Sequence, residues 1–220
     1  MKILAVIPVF DSWESLYPLV NAVGEKGLDV CIVDDGSPGD PDLASLPPWT
    51  VILRHPVNRG KGAALRTGFR YALDQKYDGV LTLDSDGQHA PEDIPAFLEA
   101  ASCHKLVIGK RDLGHPSMPL PRRLSNRITS FLLSKLLKRP IEDAQCGFRL
   151  IRKDILTRVK TEKNGFEMES ELIIKAVRKG FIPHYIPVKT IYNGEKSAIR
   201  GFRDTAAFVR LYFKALFGNL

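Results

Sequence analysis

Cysteine is scarce in this sequence: Cys31, Cys103 and Cys146 lie far apart, and no CxxC pair occurs. So odd and sparse a set excludes a disulfide scaffold and a structural zinc site, and it fits a reducing cytosol. No run reaches about 18 uninterrupted apolar residues, so no self-evident membrane span is present. The opening MKILAVIPVF lacks the longer apolar region and small-residue cleavage site of a signal peptide, and Pro8 interrupts it. It reads as a first strand. Internal repeats, low-complexity tracts and flexible linkers are also missing.

What is there suits a single domain. The 220 residues are 44% apolar and 26% charged, which excludes a disordered, collagen-like or coiled-coil chain. The net charge of +7 is unevenly spread. Residues 1–100 carry 8 Lys and Arg against 15 Asp and Glu, hence −7; residues 101–220 carry 24 against 10, hence +14. A basic second half implies an anionic partner: nucleic acid, an anionic membrane surface or a phosphorylated substrate. A solvated lysine-rich surface is the plain alternative.

Strand and helix signals alternate through the first half. KILAVIPVF, DVCIVDDGS, PWTVILRHP, DGVLTLDSDG and KLVIGKR read as strands. Helical spacing covers 13–26, 62–74 and the PEDIPAFLEAA segment, whose Pro91 suits a first turn. Such alternation implies βαβ units and a mostly parallel sheet. Residues 112–123 hold three prolines without a period and read as a loop. Beyond them, 124–138 and 199–217 read as basic amphipathic helices, CGFRLIRKDI as a strand entering a helix, GFEMESELIIKAVRKGF as a helix, and IPHYIPVKTIYN as an edge strand.

Two strands end in acids: Asp34–Asp35 after CIV, and Asp84–Ser85–Asp86 after VLTL. In open α/β sheets ligands bind outside the carboxyl ends of the strands, so both pairs are expected at one crevice. Asp84 and Asp86 have the spacing to hold one divalent cation that bridges phosphates, with Gln88 and His89 beside them. Their simpler role would be to cap the following turn. The turn Asn58-Arg59-Gly60-Lys61-Gly62 opens a helix; its N–H groups could approach a phosphate, with Lys61 or Arg66 supplying charge. It matches neither a P-loop nor GxGxxG.

The ordered set IPVF (7–10), VDDGS (33–37), NRGKGAALRTGF (58–69), LDSDGQH (83–89), GKR (109–111), DAQCGFR (143–149), FEMESEL (166–172) and IPV…IY (186–192) resembles the family 2 glycosyltransferases with a GT-A fold. Within them it is similar to the dolichol- and polyprenyl-phosphate mannosyl- and glucosyltransferases. The resemblance implies an α/β, Rossmann-like, mostly parallel sheet flanked by helices, with C-terminal amphipathic helices, in one domain. Residues 1–111 would hold the nucleotide sugar and 112–220 the acceptor. It further implies inverting transfer that depends on Mg2+ or Mn2+. The implied donor contacts are Pro8, Val9, Phe10, Glu14, Asp35, Lys61, Asp84, Ser85 and Asp86, with Asp35 on the nucleobase and Asp84, Asp86 and Gln88 at the cation. The implied acceptor-phosphate contacts are Arg111, Arg122 or Arg123, Ser125 and Arg149; Lys196 and Arg200, in the 192–200 stretch, could hold phosphate as well or simply be loop charge. Two features stand apart: the family's Tyr-Asn-Glu is replaced here by Phe10-Asp11-Ser12-Trp13-Glu14, and QCGFR is closer to the glucosyl branch.

A lipid phosphate needs no general base, whereas a sugar hydroxyl does. Asp86 and Arg111 are the expected catalytic groups. Asp143 and Glu167 are candidate bases beside Glu169 and Glu171, although Glu169 in particular also fits a capping or solvated face. Helices 124–138 and 199–217 fit a membrane surface; core packing or a homodimer interface would also absorb them. The reading is a hexosyltransferase at the inner face of the cytoplasmic membrane, peripheral or held by a small membrane-anchoring partner. It takes UDP-glucose or GDP-mannose to a polyprenyl phosphate, or to a glycan hydroxyl. A sugar-1-phosphate nucleotidylyltransferase lacks its Gly-rich N-terminal loop here, and a nicotinamide reductase lacks its glycine fingerprint. The acidic first half speaks against nucleic acid as a partner.

Overall fold

Short runs rich in apolar residues form the strands of a computed structural model that describes residues 1–39, 41–116, 118–191, 201–218 and 220. The strands are β1 (Ile3–Val9), β2 (Asp29–Asp34), β3 (Thr50–Arg54), β4 (Gly79–Thr82), β5 (Leu106–Arg111), β6 (Arg149–Arg152) and β7 (Pro183–Val188). The helices are α1 (Trp13–Gly24), α2 (Lys61–Asp74), α3 (Ile94–Ala100), α4 (Leu120–Leu137), α5 (Lys153–Arg158), α6 (Glu167–Arg178) and α7 (Gly201–Leu216). Among the described residues these strands make one sheet in the order β3-β2-β1-β4-β6-β5-β7. Every neighbouring pair is parallel except those of β6, which runs against both β4 and β5.

Every residue of β1 is buried, as a central strand covered by helices on both faces requires. The chain builds outward from β1 through β2 to β3, then returns to β4 on the other side of β1. The crevice at that reversal lies beyond Val9, Asp34 and Thr82. Because β6 is antiparallel, its first residue meets the last of β4: Thr82 faces Arg149. The 143–148 segment is thereby delivered to the same edge. The proline-bearing β7 is an edge strand, as its sequence suggests.

Helix α4 departs from expectation at its start. It begins at Leu120, inside the stretch read as a loop, because Pro121 fits a first helical turn. Its apolar stripe faces outward, which fits the membrane-surface or homodimer reading and not the core-packing one. Asn126, Thr129 and Ser130 point inward with Leu133, whereas Leu120, Leu124, Ile128 and Phe131 point outward, Leu124 and Phe131 each 60% exposed. Helix α7 buries Leu211 and Ala215 and exposes Val209, Phe213 (51%), Leu216 and Phe217 (72%). Among the described residues no helix is long and apolar enough to cross a membrane.

Candidate active site

The acidic end of β2 is already neutralised. Asp34 accepts the Ser37 N–H at 2.9 Å and pairs with Arg54 Nε at 2.9 Å. Asp35, buried, accepts from His55 Nδ1 (2.6 Å), the Arg59 N–H (3.0 Å) and the Gly60 N–H (2.7 Å). His55 Nε2 in turn meets Thr67 Oγ1 at 2.9 Å. The β2 pair ends at the crevice, as expected, but its charges are already engaged. The β2 pair holds its own loops together, and Asp35, whatever it offers a nucleobase, clamps the glycine turn.

That turn is not the phosphate cradle its sequence suggests. The Arg59 and Gly60 N–H groups go to Asp35, and those of Gly62 and Ala63 go to the Asn164 carbonyl at 2.7 and 3.3 Å. Gly60 has φ +99°, and a Cβ there would lie 2.4 Å from the same carbonyl, so only glycine fits. Arg66 turns away too, bonding Lys163 O and Asn164 Oδ1. What the turn delivers to the crevice is the Lys61 side chain.

Lys61 Nζ lies 2.5 Å from Asp84 Oδ1 and 3.1 Å from Glu169 Oε1. His89 Nε2 stands 3.4 Å from Asp84 Oδ2. Burial alone would raise the Asp84 pKa, but Lys61 and His89 outweigh it and hold the carboxyl well below the ordinary range. Asp86 differs: its carboxylate accepts the Gln88 N–H at 3.0 Å, and burial, reinforced by the charge of Asp84, pushes its pKa upward. Ser85 is tied to the loop after β1: its Oγ is 2.6 Å from Ser12 Oγ and its carbonyl accepts from Ser15. At the end of β1, Pro8 and Val9 are buried, while Phe10 in the loop and Glu14 in the first turn of α1 face solvent.

Gln88 does not stand free beside the aspartates. Its Oε1 accepts from Arg122 Nη1 at 2.9 Å, so it links the Asp84–Asp86 loop to α4. Arg111, at the end of β5, donates from Nε and Nη2 to buried Asp143 at 2.9 and 3.0 Å. Asn126 adds a 2.7 Å bond to Asp143, and Ser130 Oγ donates to Asn126 Oδ1. This chain of bonds explains the outward stripe of α4: its polar side is needed inside to fix the Arg111–Asp143 pair. Burial would raise Asp143, but Arg111 and Asn126 more than offset it and hold it below the usual carboxylate range. Asp143 is therefore corrected from candidate base to positioning group.

Arg149 is corrected as well. It is 1% exposed, and its guanidinium donates to the carbonyls of Cys146, Glu169 and Ala144, all within 2.8 Å. It braces the interior and does not face an acceptor. Arg123 bonds the His115 carbonyl, and Ser125 accepts from Gln145. Glu171 is fully buried, accepting the Glu162 and Lys163 N–H groups and pairing with Lys175 at 2.7 Å. Glu167 is half-buried at the start of α6, so the two share no role. Glu169, for which a solvated face seemed the readier role, instead joins the Lys61 cluster. Lys196 and Arg200 lie outside the described residues. Residues 189–191 run beside the acidic loop, with the Ile191 N–H on the Gln88 carbonyl at 3.0 Å.

Sequence reasoning missed His55, Asn126 and Gly147. A Cβ on Gly147 would fall 2.5 to 2.7 Å from the Asp84 carboxylate, so the glycine of QCGFR makes room for that group. Only QCGFR itself signalled its importance.

Residues 4–159 match the family model described as glycosyl transferase family 2. The chain is 32% identical to an undecaprenyl-phosphate mannosyltransferase of Micrococcus luteus, over 82% of this chain and 79% of that one. It is 27% identical to a UDP-N-acetylglucosamine–dolichyl-phosphate N-acetylglucosaminyltransferase of Methanococcus voltae, over 97% and 94%. A glucosyl-3-phosphoglycerate synthase from Mycobacterium tuberculosis, crystallised with Mn2+, UDP and glucosyl-3-phosphoglycerate, shares the fold with a TM-score of 0.68 at 18% identity, covering 99% of this chain and 79% of that one. With a GT-A sheet, an acidic strand end at its reversal point and a family match over most of its length, the chain belongs to glycosyl transferase family 2 and is a glycosyltransferase.

Proposed function

We propose that this enzyme moves a hexose, with inversion, from a nucleotide sugar such as UDP-glucose or GDP-mannose to a polyprenyl phosphate at a membrane surface. The observation that carries the reading is the state of the carboxylates. Of the four candidate bases three are engaged, Asp143 by Arg111, Glu169 by Lys61, and Glu171 by Lys175 and two backbone N–H groups; Glu167, half-buried at the start of α6, is the one left to a hydroxyl acceptor. A sugar hydroxyl would need a carboxylate free to take its proton. A lipid phosphate arrives ionised and needs cations to position it. The relatives named for undecaprenyl and dolichyl phosphate support the same acceptor class.

Asp84 and Asp86 offer hard oxygen donors, the kind that fit Mg2+ or Mn2+. Among the described residues no three His, Cys, Asp or Glu side chains cluster as a metal site, so part of the shell would come from diphosphate and water. The ion, when bound, supplies positive charge beside the departing diphosphate. Lys61 adds charge on the donor side. Arg111, its plane fixed by Asp143, and Arg122, anchored on Gln88, orient the incoming phosphate from the acceptor side. The outward stripes of α4 and α7 rest on the cytoplasmic membrane face, directly or through a small anchoring partner.

The test combines the protein with a nucleotide-sugar panel, Mg2+ or Mn2+, and a polyprenyl phosphate, read by mass spectrometry of the lipid. A lipid heavier by one hexose is expected. Untouched lipid, with sugar transferred instead to a glycan hydroxyl, overturns the reading.

A further inference from the structure

The Lys61 ammonium occupies the side of Asp84 on which a cation would be needed. It lies 2.5 Å from Oδ1, and the other oxygen of Asp84 faces His89 at 3.4 Å. Gly147 closes a third side. The ammonium also neutralises buried Glu169 at 3.1 Å and lies 5.3 Å from the centre of the Phe166 ring. Asp86, two residues on, makes no ion pair among the described residues; its carboxylate accepts the Gln88 N–H at 3.0 Å. The two aspartates are thus unequal, one already paired and one available. A divalent ion on Asp84 beside the ammonium would set two positive charges against each other at short range, in a partly buried site where screening is weak.

The backbone under Lys61 is pinned. The Gly60 N–H is held by Asp35 and the Gly62 N–H by Asn164. The head group hangs on a flexible four-carbon stem and can change partners without moving that backbone. We propose that Lys61 is an internal counter-ion that keeps Asp84 from a divalent cation in the nucleotide-free enzyme, and yields Asp84 to that cation once a nucleoside diphosphate offers the ammonium another anion. This rests on the nucleotide-sugar reading above and adds an order to it: Asp86 makes the first protein contact with the metal, and Asp84 joins with the nucleotide. By linkage, the part of the metal–nucleotide coupling that Lys61 supplies is the same whether it is read as nucleotide strengthening metal binding or as metal strengthening nucleotide binding.

Electron paramagnetic resonance of Mn2+, without substrate turnover, tests it. In nucleotide-free enzyme D86N should abolish Mn2+ binding and D84N should leave it within about twofold; with UDP or GDP added, D84N should weaken it about tenfold or more. K61M should tighten nucleotide-free Mn2+ binding about fivefold or more, and K61R, which restores the charge, should not. D84N weakening nucleotide-free binding as much as D86N would overturn the proposal. If K61M does not fold, the D84N and D86N pair decides alone. Binding of UDP or GDP by calorimetry separates the failures. If neither nucleotide binds, the donor reading falls and this proposal with it. If one binds and the D84N contrast is absent, this proposal alone falls.

Discussion

Asp84 and Asp86 share a loop and differ in what surrounds them, and that difference sets what each substitution does. Asp86 is half-buried and keeps a single backbone hydrogen bond, so D86A should cost little stability. Its loss would remove a carboxylate proposed to hold the cation beside the leaving group, and a single preorganised electrostatic contribution of that kind is worth about 10²- to 10³-fold. Sugar transfer should fall by that much while the thermal melt stays within about 2 °C. Gly147→Ala probes the same centre from behind. Its Cβ would strike the Asp84 carboxylate, and the resulting displacement should cost about 10²-fold in transfer. A G147A enzyme of full activity would show that the position of Asp84 is unimportant. Asp143 calls for the opposite result. It is fully buried on Arg111, and D143N should destabilise the fold by about 3–5 kcal/mol, read by urea unfolding. Sequence alone could place these acids at strand ends, because a hydrophobic run followed by Asp is a local signal. It could not say which were spent, because their partners are remote: Asp35 is bound by residues 20 to 25 positions away and Asp143 by one 32 positions away.

At the scale of elements, the order of strands and helices was legible from period and punctuation, and α4 marks where legibility stops. Its apolar stripe is plain in the sequence, but a periodic pattern does not say which side faces the protein. The decision comes from Asn126, whose amide is needed by a buried carboxylate 17 residues later. Leu124, Ile128 and Phe131 are left on the outside. The triple variant L124S/I128S/F131S should therefore melt close to the parent, since each side chain is exposed already. It should also lose most sedimentation with anionic vesicles, if this stripe is what meets the membrane. An unchanged vesicle interaction would assign the stripe to another contact. Helix α7 offers a second stripe through Val209, Phe213 and Phe217. The antiparallel β6 was equally hidden: its sequence signals a strand, but only the sheet reveals that it returns the 143–148 segment to the site.

Across the whole molecule, the ion pairs at the crevice do not join the acids of the first half to the bases of the second: Lys61 and Asp84 both belong to the first half, Arg111 and Asp143 both to the second, and Lys61 reaches across to an acid, Glu169. These pairs leave the charge asymmetry between the halves uncancelled. What remains on the basic side is available to an anionic surface, so vesicle binding should weaken as salt is raised. Acid stability follows from the same pairs. Asp143 has a folded pKa below its ordinary 3.8, so its pairing stabilises the fold above that value. That stability is lost as pH falls from there through the folded value. Unfolding free energy should be level from about pH 7 to 5 and drop below about pH 4, with a shallower drop in any D143N protein that folds. The central claim is that the nucleophile brings its own negative charge. The most direct test is to measure transfer to a polyprenyl phosphate beside transfer to the free polyprenol of the same length, with the same nucleotide sugar and metal. Rapid transfer to the phosphate, with the alcohol at least about 10³-fold slower, is predicted; comparable transfer to the alcohol would contradict the account.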